Sequence, residues 1–156
     1  MEQKAREQMI VKRGAEWFLF VALISLINSI LYGFNVHIAF FLRLWGGLGL
    51  AVTELVSVFA RRAGGVGFVL ALTINGFISG LFLVFWHFAR KANKWAFLAG
   101  AALYALDGLA ILLFFRPRLV DFAFHALALF FMLGGAYAVF RLQRIDPKES
   151  GAEMGA

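Results

Sequence analysis

Long apolar runs separated by short polar connections dominate this chain. Five runs stand out, at roughly 15–33, 38–60, 65–89, 95–115 and 119–140. A helix needs about 20 apolar residues to cross about 30 Å of hydrocarbon, and the first, third and fourth runs meet that length without strain. The fifth meets it while carrying Asp121 and His125. The second is long enough but holds Arg43, Glu54 and the glycines of WGGLGL. The pattern predicts an all-α integral membrane helical bundle of about five hydrophobic segments. In that bundle 38–60 is a tilted span or, alternatively, a re-entrant or interfacial piece that leaves four spans. Residues 1–13 read as a polar N-terminal tail or short interfacial helix, 14–142 as a single transmembrane helical domain, and 143–156, closing on DPKESGAEMGA, as a disordered C-terminal tail. The first apolar run has no small-residue cleavage site near its end and reads as an anchor that stays.

Composition agrees with this reading. Of 156 residues, 62% are hydrophobic and 15% charged, against about half and about a quarter in soluble domains. A soluble chain of this length has no interior large enough to hide that much apolar surface. The absence of cysteine excludes disulfides, thiolate metal sites and cysteine nucleophiles. The net charge of +6 comes from Lys and Arg spread between the runs, which fits anionic headgroups and cytoplasmic loops rather than nucleic acid.

Counting these cations tests the topology. Five spans put Lys4, Arg6, Lys12, Arg13, Arg61, Arg62, Arg116 and Arg118 on one side, and Arg90, Lys91, Lys94, Arg141, Arg144 and Lys148 on the other. Four spans move the second group to the side of the N-terminus and leave Arg61, Arg62, Arg116 and Arg118 opposite, with Arg43 to be added to them. The charge rule thus favours four spans, hydrophobic length favours five, and both place the N-terminus in the cytoplasm. Five is the leading expectation. An internal repeat is also visible. WFLFVALISLINSIL from Trp17 and WAFLAGAALYALDGLAIL from Trp95 each place a polar residue, Asn28 and Asp107, about three turns on. The following segments carry Gly46–Gly47 and Gly134–Gly135. With one span between the halves, this is an inverted-repeat plan.

Ionisable residues inside a span cost roughly 2.5–3.5 kcal/mol and persist when paired, wetted or needed. Asp107 lies about 13 Å below the connection at Pro117, and His125 and Glu54 lie about 10 Å below connections on the same side, at about 1.5 Å per residue. Glu54, Asp107 and His125 therefore form a candidate polar layer, with Asn75 slightly deeper. Such a layer can relay protons, bind a cation or hold a polar ligand. The competing reading is structural: Asp107 bonds His125, or a hydroxyl such as that of Tyr104, and fixes helix register. Asp121 and His125 are four apart and share a face, so Asp121 either orients the imidazole or caps the helix start. Gly76 and Gly80 form a GxxxG for close helix packing, within the chain or in a homodimer. His37 and His87 stand at segment ends, so no metal, haem or other cofactor is expected.

The stretch from Trp95 through Tyr104-Ala105-Leu106-Asp107-Gly108, followed by Phe124-His125-Ala126-Leu127, resembles a pattern in a family of small uncharacterised bacterial polytopic membrane proteins. Gly14-Ala15-Glu16-Trp17-Phe18 and Ser25-Leu26-Ile27-Asn28-Ser29 resemble its opening, and the likeness covers about residues 13–140. The resemblance implies a multi-pass protein of the bacterial cytoplasmic (inner) membrane and adds no chemistry.

No phosphate loop, HExxH, nucleophile elbow or CxxC is present. The leading expectation is a non-catalytic membrane protein, an accessory or scaffold subunit or a homo-oligomer, with the lipid bilayer and other membrane subunits as partners. The first alternative is a small transporter or channel using Glu54, Asp107 and His125. The second is an intramembrane enzyme acting on a lipid or quinone, with His125 as base.

Overall fold

The computed structural model describes residues 2–33, 64–114 and 119–145. Among these residues the fold is all-helical, with four helices and no strand: α1 (Glu2–Gly33), α2 (Gly64–Ala89), α3 (Lys94–Phe114) and α4 (Leu119–Ile145). The segment 38–60, expected as a further helix, lies outside the described residues, as does 146–156.

Two local features join α2 to α3. The chain turns at Arg90–Asn93, where Arg90 N–H donates to the Trp86 carbonyl (3.0 Å), Asn93 N–H donates to the Phe88 carbonyl (3.2 Å) and Ala92 takes φ 57°. Asn93 Oδ1 then accepts from the backbone N–H of Trp95 (2.9 Å) and Ala96 (3.4 Å). This caps the start of α3, as a short polar side chain does for otherwise unbonded helix donors.

Of the two readings of the polar N-terminus, tail or short helix, the residues from Glu2 are helical, and they form about three turns of α1 rather than a separate element. No glycine or proline interrupts the chain before Gly14, and tertiary contacts hold it. Val11 is buried, and the buried carboxylate of Glu7 accepts from Arg141 Nη1 at 3.0 Å. For the same reason α4 continues past residue 140, carrying Arg141 through to Ile145.

The contacts fix the direction of every helix. Along α1 and α4 the pairs Glu7 with Arg141, Gly14 with Gly135 and Trp17 with Phe131 run in opposite order, so the two helices are antiparallel. Gly135 against Phe97 and His125 against Asp107 make α3 and α4 antiparallel. The turn at 90–93 makes α2 and α3 antiparallel. The result is an up-down-up-down bundle in which α1 packs mainly on α2 and α4. It also corrects the inverted repeat: α1 and α3, both opposed to α4, run the same way, and Trp17 and Trp95 stand toward the same end. The end of α1 and the start of α2 share the opposite end.

Close helix approach sets the core. A Cβ at Gly14 would lie 2.8 Å from the Gly135 Cα and the Phe131 carbonyl oxygen, and one at Gly135 2.5 Å from Phe97 Cε1. One at Gly100 would meet Phe18 Cε1 at 2.5 Å. These glycines admit a cluster of fully buried rings, with Phe18 centred 6.3 Å from Phe82 and 5.7 Å from Phe97. Gly76 and Gly80, expected to be the packing pair, have no described atom within 4 Å of an added Cβ. Their face is not used between the described helices.

Basic residues mark one end of the described helices. Lys4, Arg6, Lys12 and Arg13 of α1, Arg90, Lys91 and Lys94 at the turn, and Arg141 and Arg144 of α4 gather at one end. Just inside them each helix carries an aromatic residue with a polar edge: Trp17, Trp86, Trp95 and Tyr137. The Arg90 guanidinium lies 5.0 Å over the Trp86 ring and that of Arg141 lies 5.7 Å over Tyr137. Two helical stretches, Gly64–Ala89 and Phe122–Ile145, are long and apolar enough to cross a membrane.

Gly14→Ala should destabilise the fold by about 1–3 kcal/mol, since the new methyl meets backbone that must move. Gly134→Ala, with no described atom within 4 Å of the added Cβ, should be neutral or stabilising, because alanine is the better helix former. Thermal unfolding of the purified protein compares the two. Equal losses would mean that α1 and α4 do not approach at Gly14.

Candidate functional site: a buried polar layer

Ser25, Asn75, Ser79, Asp107 and His125 are buried, none more than 6% exposed. With Glu7, they make up all the buried polar side chains found among the described residues.

Helix register puts these five close to one level. Phe18 packs on Phe82. Ser25 is seven residues beyond Phe18 on α1 and Asn75 seven before Phe82 on antiparallel α2, so both lie about 10 Å further along. Phe82 packs on Tyr104 at 6.2 Å. Three residues before and after these, Ser79 and Asp107 again share a level. His125 meets Asp107 directly. All four helices thus supply polar groups within about one and a half turns of each other.

The imidazole of His125 has a defined seat. Its ring stacks on Tyr104, with centroids 4.8 Å apart and planes 2° from parallel. Beside it, a Cβ at Gly108 would lie 3.2 Å from His125 Cδ2, so the ring touches α3 backbone that any side chain would cover. Its Nε2 lies 3.5 Å from Asp107 Oδ2. That is long for an N–H···O bond, so the contact is a charge and dipole interaction as much as a hydrogen bond. Ser79 Oγ, also buried, has no hydrogen-bond partner among the described residues.

The expected layer is therefore present in part. Asp107 and His125 are brought together, Tyr104 joins them through its ring rather than its hydroxyl, and Asn75 lies near their level. Glu54 lies outside the described residues. Asp121 falls in the first turn of α4, and its side chain lies outside them too. His87 is exposed against Phe88, toward the basic end. Sequence reasoning did not single out Ser25 and Ser79. Ser79 carried a signal, being four residues after Asn75 and so on the same face; a lone serine at 25 carried none.

Chemically the arrangement can hold, orient and exchange a proton between an imidazole and a carboxylate. Among the described residues no group of three or more His, Cys, Asp or Glu is placed to hold a metal ion. No family model, curated protein or solved structure matches the chain. The site's reading therefore rests on its geometry.

In a double-mutant cycle, Asp107→Ala and His125→Ala should couple by about 0.5–3 kcal/mol, as contacting residues do. The cycle is measured as unfolding free energies of the two single variants and the double variant. Additive losses would show that the pair is proximity without interaction.

Proposed function

We propose that this chain is an integral membrane protein of four crossing helices in a bacterial cytoplasmic membrane. Its N-terminus is cytoplasmic, and its role is non-catalytic: an accessory or scaffold subunit, or a small homo-oligomer. The observation that carries the membrane reading is the inverted polarity of the bundle. Val66, Phe77, Leu113, Leu119 and Phe130 are among its most exposed side chains, while Ser25, Asn75, Ser79, Asp107 and His125 are inside. Water reverses that order and hydrocarbon permits it. In the two long apolar stretches only 18% and 39% of the apolar window is buried within the protein; the core helix of a soluble protein would be mostly buried. Exposed Thr73 donates its hydroxyl to the Val69 carbonyl at 2.9 Å, which satisfies it without water.

The ends support a position and an orientation in this reading. One aromatic per helix toward the basic end, with Trp86 and Tyr137 each under an Arg guanidinium, suits a headgroup interface. Because α1 ends where α2 begins, the four-span count of cations applies, with the N-terminus, the 90–94 turn and the end of α4 on the basic, cytoplasmic side. A scaffold role is favoured by the short connection at 90–93, which leaves no room for an extramembrane domain between α2 and α3. A small transporter or channel is the second reading, and one observation favours it: the polar layer draws on all four helices rather than one pair.

The cysteine-free sequence makes topology directly measurable. Lys91→Cys should react with a membrane-impermeant thiol reagent only from the cytoplasmic side, and Gly65→Cys only from the other. Labelling of both from one side would refute the four-span arrangement. Native mass spectrometry after gentle extraction should show the chain in fixed ratio with other polypeptides or as a symmetric oligomer. A lone, functional monomer would move the assignment to the transporter.

A further inference from the structure

We infer that the α2–α3 turn is a binding site for an anionic phospholipid. Arg90, Lys91 and Lys94 hold its phosphate, and its acyl chains lie along the apolar faces that leave the turn. The inference rests on the membrane reading and adds to it a lipid class and a place.

The positive charge at this turn is unanswered. Three cations fall between residues 90 and 94, and among the described residues none of them is paired with a carboxylate. The described carboxylates of the basic end, Glu2, Glu7 and Glu16, all lie on α1. Glu7 is held by Arg141, so the cation that α4 brings to this level already has its counter-charge. Glu16 follows Lys12 and Arg13 by about one turn of their own helix. The α2–α3 turn carries no acid of its own.

The geometry suits a phosphate. The Arg90 guanidinium lies 5.0 Å over the Trp86 ring. Stacking fixes the guanidinium plane and occupies its face, leaving the N–H groups along its edge to donate. Those donors match two oxygens of a phosphate. Lys91 and Lys94 bring ammonium groups on long stems, which add charge without demanding one geometry. The backbone beneath them is tied down. Arg90 and Asn93 N–H donate to the Trp86 and Phe88 carbonyls, and Asn93 Oδ1 caps α3.

A free phosphate and a phospholipid headgroup share that chemistry. The surface beside the turn favours the lipid. Val84 and Phe88 on α2 and Trp95 and Leu98 on α3 are exposed, all within about two turns of the cations on the side of the hydrocarbon. A soluble phosphate gains nothing from them, whereas an acyl chain covers them and is covered in turn. The proposed orientation also puts this turn at the cytoplasmic leaflet, whose anionic lipids draw basic segments to its surface.

The test uses the full chain, purified in neutral detergent and titrated with phosphatidylglycerol or phosphatidylcholine, with bound lipid read by native mass spectrometry. Wild type should hold phosphatidylglycerol more tightly than phosphatidylcholine by about tenfold or more. Equal retention of the two would overturn the site. Arg90→Gln, Lys91→Gln and Lys94→Gln together should abolish most of that preference. Arg6→Gln, Lys12→Gln and Arg13→Gln together remove the same charge from α1 and should keep most of it. Equal losses in the two triple variants would show an effect of net charge and no site at the turn. Glycerol 3-phosphate at millimolar concentration should leave the lipid bound; displacement would make this a phosphate-ion site and overturn the lipid. Wild type alone also decides the place. Phosphatidylglycerol with a photoreactive headgroup should crosslink to residues 84–98, and crosslinks confined to α1 or α4 would overturn the assignment to the turn. Flotation with vesicles is scored separately: a chain that stays out of them refutes the membrane reading, while lipid preference in detergent still tests the site.

Discussion

The structure depends on how closely α1 and α4 come together at Gly14 and Gly135. With hydrogen in place of a methyl on both sides, the backbones touch, and that contact sets the register of the two longest helices. Two turns one way, Glu7 reaches Arg141; one turn the other way, Trp17 stacks on Phe131 at 5.1 Å. Phe97 occupies the space over Gly135, and Phe18, centred in the cluster, uses the space at Gly100. A bulkier residue at these positions would push α1 outward and slide every pair beyond it.

That register divides the interior in two. Toward the basic end the core is aromatic and tightly interlocked. Toward the other end it is polar, with Ser25, Asn75, Ser79, Asp107 and His125 near one depth. On the proposed membrane reading, each ionisable side chain there costs roughly 2.5–3.5 kcal/mol to insert. The Asp107–His125 contact offsets part of that cost, and the remainder explains why such residues gather at one level. Polar groups scattered along the bundle would each need a separate partner in hydrocarbon.

The length of the helices fits the same picture. At 32 residues, α1 spans about 48 Å, well beyond the roughly 30 Å of a hydrocarbon core. The excess lies at the basic end, where α1 and α4 continue together past the 90–93 turn and are joined by Glu7 and Arg141. Because Arg141 is 47% exposed, that pair contributes little energy, about 1 kcal/mol or less, but it holds the polar turns of α1 against α4.

Run length and composition by themselves determined that the described residues are helical, where α2 and α3 lie to within a residue or two, and that Asp107 and His125 sit at similar depth. These are local properties, readable from hydropathy, from a rise of 1.5 Å per residue and from a short connection that forces antiparallel neighbours. Tertiary structure alone decided which faces meet. It extended α1 through a polar stretch that has no apolar signal, because Arg141, more than a hundred residues away, supplies the partner for Glu7. It set α1 parallel to α3 and so dissolved the apparent inverted repeat of Trp17 and Trp95, since repeat spacing carries no direction. Between the described helices it used Gly14, Gly100 and Gly135 and not the GxxxG of Gly76 and Gly80, because a glycine matters only where another helix arrives. It added Ser25 and Ser79 to the layer, since a hydroxyl in an apolar run acquires a role only from what the fold places opposite it.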